Sequence, residues 1–287
     1  MENELALKGK IVLVTGGSRG IGKGIAIALG KLGATVFITG RPQKSPNKLS
    51  GSIEETAEAV TNAGGIGHAI YCDHANDDDV AAAFEKIKKE TGYIDILVNN
   101  VTSLANDILY PPPFWTKSLQ LADQITVGLR SAYVSSYYAA PLLLKSKKGL
   151  IVNISYYGAV SYHLDPAYGA TKAGLDKLTW DMAIDFKPFG VSVISVWPGP
   201  TATEFAVSLI SKMEGGEKMM ENFETPEFTG LVIKHVYSDP DLIEMSGSVI
   251  IGAEAAVKYG FKDINGKLPQ VLKLGLGAPT EYFEVNH

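Results

Sequence analysis

Lys10-Ile11-Val12-Leu13-Val14-Thr15-Gly16-Gly17-Ser18-Arg19-Gly20-Ile21-Gly22 joins two patterns, and the junction decides the fold. The apolar, β-branched run 10–14 suits a strand buried on both faces, and a helical pattern through Ile25, Ala26 and Leu29 follows the glycines. Glycine at 16, 20 and 22 lets the backbone turn sharply and approach a pyrophosphate, which the first amides and the dipole of the helix would hold. The spacing is GxxxGxG. Its place after the first strand, more than the glycines themselves, reads as a dinucleotide turn made by Gly16, Ser18, Arg19, Gly20, Ile21 and Gly22.

The alternation continues outward from this turn. Strands are expected at 35–39, 67–72, 94–99, 150–154 and 191–197, and helices at 53–63, 77–90, about 119–145 and 166–186. Strands alternating with helices pair in parallel through right-handed crossovers, so the expectation is an α/β doubly wound sheet of the Rossmann type, one domain over 1–287. Two segments break the rhythm, 101–118 and 203–229. Each follows a predicted strand, which makes them candidate substrate loops. The second, with Phe205, Met213, Met219, Met220, Phe223 and Phe228, is a candidate helical lid; ordinary core on two amphipathic helices is the competing reading.

Composition removes several classes. A chain of 287 residues that is 46% hydrophobic and 20% charged buries a sizeable core and is not generally disordered. The formal charge of −5, with no basic run longer than Lys147-Lys148, speaks against nucleic acid as a partner. Cys72 is the single cysteine, and the five histidines lack paired ligand spacing, so neither a disulfide nor a metal centre is expected. An acidic start and the want of a long apolar run predict no signal peptide and no membrane span, hence a cytoplasmic protein.

Charge at the second strand's end bears on which dinucleotide is bound. An NAD site wants a carboxylate there for the ribose 2′-hydroxyl, whereas this chain has Thr39-Gly40-Arg41. Arg41, with Arg19 from the glycine turn, offers guanidinium groups to a 2′-phosphate, and the chain has only three arginines. NADP(H) is therefore the expected cofactor.

Tyr168-Gly169-Ala170-Thr171-Lys172 sets a phenol and an ammonium one helical turn apart. With 13 tyrosines such a pair is expected about once by chance, so position carries its weight: it follows the fifth strand, whose end bears Ser155. A cation about 4 Å away at an effective dielectric near 20 favours phenolate by up to about 4 kcal/mol, enough to bring a phenol toward neutrality. The expected chemistry is hydride transfer to a carbonyl carbon. Tyr168 acts as acid or base, Lys172 lowers the phenol's pKa and binds the ribose, and Ser155 donates to the substrate oxygen.

Together the glycine turn, Asn99-Asn100, Ser155, Tyr168 and Lys172 resemble the short-chain dehydrogenase/reductase family over nearly the whole chain. The resemblance implies that Asp73 contacts the adenine, that Asn99 braces the central strand, and that Pro198, Gly199 and Thr203 bind the carboxamide. Gly128-Leu129-Arg130, Trp197-Pro198-Gly199, Ser238-Asp239-Pro240 and Tyr259-Gly260-Phe261 are similar to the member-1 type within that family, thought to reduce ketones of steroids and xenobiotics. A homo-dimer or homo-tetramer is implied by the same resemblance. Two positions depart from the family's pattern. Asn-Asn-Ala-Gly reads Asn99-Asn100-Val101-Thr102, and the asparagine of the long helix, whose main-chain carbonyl holds a relay water, aligns with Gly128. Glycine keeps the carbonyl and invites a local kink. These departures leave one competing expectation, a non-catalytic NADPH-binding sensor or scaffold. Tyr156, Tyr157, Phe114 and Trp115 are expected to give an apolar substrate wall, and His163 is either a loop residue or a substrate contact.

Overall fold

The computed structural model describes residues 6–42, 50–103, 108 and 113–284. Strands β1 (Ile11–Val14), β2 (Thr35–Gly40) and β3 (Ile66–Tyr71) alternate with helices α1 (Gly20–Lys31), α2 (Ile53–Asn62) and α3 (Asp77–Thr91). Then come β4 (Ile96–Asn99), a π-helical turn (Gln124–Leu129) running into α4 (Arg130–Leu143), β5 (Gly149–Ile154), α5 (Pro166–Phe186) and β6 (Val191–Trp197). Short helices α6 (Glu204–Ile210) and α7 (Gly216–Met220) precede α8 (Phe228–Ser238), β7 (Val249–Ile251), α9 (Gly252–Tyr259) and α10 (Lys273–Leu276).

All seven strands are parallel, in the order β3-β2-β1-β4-β5-β6-β7. Side chains alternate across the sheet. Val12, Val14, Val36, Ile96, Val98 and Val152 face one core with Ile25, Leu29 and Val232, while Leu13, Phe37, Leu97, Ile151 and Val193 face another with Phe84 and Leu142. Both faces are covered, which is why the strands read as unbroken apolar runs. The order reverses at β1, so the carboxyl ends of β1 and β4 open the crevice where such sheets bind ligands.

Two expectations change, and one element is new. The helix over 119–145 is not continuous: Leu119–Ala122 is a 3-10 turn, Gln124–Leu129 is π-helical, and regular α-helix begins only at Arg130. Gly128 lies in the π turn, so the kink takes that form. The lid segment 203–229 is too long at its end. Phe228 and Thr229 open α8 and are buried, with Phe228 stacked on Phe261 as core. Strand β7 goes unforeseen because three residues on a partly exposed edge give no periodicity to read. Of segment 101–118, residues 104–107 and 109–112 lie outside the described residues. Among the described residues no helix is long and apolar enough to cross a membrane.

Helices α1 and α8 meet closely through glycine. A Cβ on Gly230 would lie 2.6 Å from the Ala28 Cβ and 3.1 Å from the Ile25 Cα. Gly230→Ala should lower the unfolding free energy by about 1–3 kcal/mol, read from the urea midpoint, with an unchanged midpoint showing that the helices can part. Glu224 is costly in another way. It is 2% exposed, and neither carboxylate oxygen has a well-formed hydrogen bond. Burial pushes its pKa from 4.5 to about 8, with Asp263 reinforcing and the Gly199 amide opposing. A folded-state pKa above the unfolded value stabilises fully at acid pH and is lost as pH rises through 8. Urea unfolding at pH 5.5 and 8 should show stability falling by a few kcal/mol, roughly, in the native chain and much less in Glu224→Gln. Equal slopes would mean that Glu224 is ionised throughout.

Candidate active site

The glycine turn is fixed by the residue that follows β4. Asn100 donates from its backbone to Thr15 Oγ1 at 3.1 Å and from Nδ2 to the Thr15 and Gly16 carbonyls at 3.1 and 3.0 Å. A Cβ on Gly22 would fall 2.4 Å from Asn100 Nδ2 and 2.6 Å from the Gly16 oxygen, so no larger residue fits without moving the turn. Gly16 and Gly20 take φ of +65° and +56°. Helix α1 has no side-chain cap and no acid in its first turn, which leaves its positive end to others. Glu204, at the start of α6, puts Oε2 on the Gly20 amide at 2.8 Å. The turn thus already draws an anion, and its donor set fits a dinucleotide's phosphates.

The other expected cofactor residues gather along the same edge. The Gly17 amide donates to the Thr39 carbonyl at 3.0 Å, which joins the turn to the end of β2 and to exposed Arg41 just beyond it. Arg19 is the half-buried N-cap of α1, and Ser18 lies under Gly51, whose added Cβ would be 2.4 Å from the Ser18 carbonyl oxygen. Ile21 turns its side chain into the core. The third arginine, Arg130, is engaged elsewhere, paired through both nitrogens with Asp77 at 2.7 and 2.6 Å. Asp73 follows β3 and accepts from the Ala75 amide at 3.1 Å. Asn99 donates to Asn153 Oδ1 at 2.9 Å and Ser136 Oγ at 3.1 Å, tying β4 to β5 and α4. Pro198 and Gly199 leave β6, and Thr203 both caps α6 and sits 3.3 Å from where a Gly20 side chain would start.

Helix α5 presents Tyr168 and Lys172 to the end of β5. Asp165 caps it by accepting from the Ala167 amide at 2.8 Å, and the buried Lys117 ammonium lies 3.8 Å from that carboxylate. Lys172 Nζ sits 5.3 Å from the centre of the Tyr168 ring and donates to the Ile154 carbonyl at 3.0 Å. Ser155 Oγ donates to the Lys172 carbonyl at 3.0 Å. The electrostatics differ from expectation. Burial pushes the Tyr168 phenol above its usual range, with Tyr156 adding to the effect, and pushes Lys172 down to about 8, with Asp176 opposing. Without a ligand, desolvation outweighs the attraction of the pair, and Tyr168 is a neutral phenol.

Tyr156 and His163 complete the surroundings, with ring centres 4.9 Å apart and 6.4 and 6.0 Å from the Tyr168 ring. Burial lowers the His163 pKa, so the ring is neutral at pH 7. Tyr157, expected in the substrate wall, packs instead in the core against Trp197 at 5.0 Å, while Phe114 and Trp115 are exposed. Sequence reasoning assigns no role to Glu204, Glu224 or Asp176. Only Asp176 carried a signal, its place one turn beyond Lys172.

The short chain dehydrogenase family model matches residues 10–214. Dehydrogenase/reductase SDR family member 1 of Mus musculus is 36% identical over 91% of this chain and 85% of its own length, and the Homo sapiens protein of that name is 35% identical over the same shares. A crystal structure of a short chain dehydrogenase from Mycobacterium thermoresistibile superposes with a TM-score of 0.75 at 25% identity, covering 90% of this chain and 89% of that one. The chain belongs to the short-chain dehydrogenase/reductase family, oxidoreductases that bind a nicotinamide cofactor and act on small molecules.

Proposed function

We propose that the chain is an NADP(H)-dependent oxidoreductase that reduces the carbonyl of an apolar ketone or aldehyde, with Ser155, Tyr168 and Lys172 as its catalytic residues. The observation that carries this reading is the Lys172 ammonium 5.3 Å from the Tyr168 ring, on a buried helix face at the end of β5. The family match to residues 10–214 supports the reaction class.

The dinucleotide, when bound, supplies or accepts the hydride. Its phosphates would fall to the amides of the 16–22 turn, its adenine to Asp73 and its nicotinamide end to Pro198, Gly199 and Thr203, with Asn99 bracing the strand beside it. Arg19 and Arg41 hold the 2′-phosphate; no carboxylate stands in Thr39-Gly40-Arg41 to prefer a ribose hydroxyl. Tyr168 gives its phenolic proton to the substrate oxygen, and the neutral phenol left by burial is the form that a reduction requires. Lys172 binds the nicotinamide ribose and offsets charge on the phenolate that remains. Ser155 rotates from the Lys172 carbonyl to donate to the substrate oxygen as that oxygen gains charge. The rings of Tyr156 and His163, with half-buried Phe205, Met220 and Phe223, suit an apolar molecule.

Tyr168→Phe should cut turnover by about 10²–10⁴-fold across a carbonyl panel, followed as NADPH absorbance, while the NADPH dissociation constant moves by less than about threefold. Full turnover by the variant would remove the mechanism, whereas silence of the native chain across the panel would favour a binding protein. Arg41→Ala should weaken NADPH by about 10–100-fold and leave NADH unchanged, as expected for one lost charge-assisted contact. Equal binding of the two cofactors by the native chain would overturn the preference.

A further inference from the structure

Helix α5 carries a third ionisable group on the same face. Tyr168, Lys172 and Asp176 recur at intervals of four residues, so each stands about one turn from the next. Asp176 is 3% exposed. Ser195 Oγ donates to its Oδ1 at 2.6 Å, and Trp197 Nε1 lies 3.1 Å from both oxygens. Those donors come from β6, and Trp197 immediately precedes Pro198-Gly199. A carboxylate that only tied α5 to β6 would need none of the alignment with Lys172.

The charges on this face act on one another. Burial pushes Lys172 toward the neutral amine and Asp176 toward the neutral acid, to about 6. Each counters the other, with Asp176 raising Lys172 and Lys172 lowering Asp176. Tyr282, from the C-terminal segment, is the other group that feels Asp176, its phenol held up by that negative charge after the effect of burial. Lys172 has the Ile154 carbonyl and the Tyr168 ring for company, both uncharged.

We propose that Asp176 is the buried counter-charge that keeps Lys172 an ammonium, and so a positioning residue for the reaction, acting from one helical turn away and held in place by Ser195 and Trp197. The pair is ionic at neutral pH because the acid gives up its proton before the amine does. With the carboxylate removed, nothing charged on that side offsets the desolvation of Lys172, and the amine loses its proton at lower pH. The proposal rests on the reading of Lys172 as a catalytic lysine, but its test does not use activity.

The ligand-free protein, labelled with ¹³C at lysine Cε, is titrated by NMR, and Lys172→Met identifies the resonance. In Asp176→Asn the Lys172 midpoint should fall by roughly one pH unit or more, with tryptophan fluorescence reporting a native fold. An unchanged midpoint in a folded variant overturns the proposal. The native chain gives a second reading that needs no folded variant at this position. Its Lys172 resonance should show a smaller inflection near pH 6, where Asp176 protonates, and Ser195→Ala, which removes a donor to the carboxylate, should move that inflection upward. Absence of the inflection also overturns the proposal. A fully active Lys172→Met enzyme would instead sink the catalytic reading of Lys172, whatever the NMR shows.

Discussion

An ammonium taken out of water dominates the chemistry of this fold. Lys172 is 7% exposed, and a buried cation costs several kcal/mol unless its surroundings compensate. The compensation comes from three places set by the fold rather than by the lysine: a carbonyl at the end of β5, the face of a tyrosine one turn earlier, and a carboxylate one turn later. Each depends on α5 lying against the ends of β5 and β6. The helix is held in that place by the Asp165 cap at its start and by Asp176 bonded to β6 midway along its length. The resulting site is poised rather than charged throughout. A neutral phenol beside a partly discouraged ammonium can part with a proton and then keep the phenolate that remains, which neither group could do alone in a dry cleft.

A second constraint is steric. The glycine turn works because backbone and side chains come closer than any Cβ would allow, Gly22 against Asn100 being the tightest case at the crevice. Asn100 occupies the space a side chain would fill and spends its amide on two carbonyls of the turn. The carboxyl ends of β1 and β4 are thereby locked together, and the amides at the start of α1 stay aimed at whatever anion lies above them. Glu204 shows that pull, since a carboxylate 184 residues further along the chain has come to rest there.

Much of this was legible before any coordinates. Unbroken apolar strands reported a sheet covered on both faces, and the glycine turn, Ser155, Tyr168 and Lys172 in order reported the family. What sequence could not give was whatever depends on non-local packing. Tyr156 and Tyr157 are neighbours of the same type, yet one faces the cleft and the other is core, because alternate side chains leaving β5 point to opposite sides and Trp197 waits on one of them. Phe228 looked like lid because its segment is rich in methionine and phenylalanine, and it is core because α8 starts there. Residues 249–251 were too few to show a period. The electrostatics failed for a related reason. Attraction between Tyr168 and Lys172 can be read from spacing, whereas the larger cost of burying both cannot.

The two departures from the family's motifs turn out to be neighbours. Thr102, where the pattern has glycine, donates its hydroxyl to Gln124 Oε1 at 3.1 Å, and Gln124 is the first residue of the π turn that contains Gly128. A Cβ at Gly128 would stand 3.2 Å from Thr171 Cγ2 and 3.9 Å from the same Gln124 oxygen. The turn brings residue 128 against α5 beside Lys172, where a larger side chain would need Thr171 to give way by a few tenths of an ångström. Thr102 anchors the other end of that arrangement through Gln124. A π turn costs hydrogen-bond geometry and is retained where it re-aims backbone groups, which is the property a carbonyl near Lys172 would need. Positions 102 and 128 thus meet in one local arrangement through Gln124.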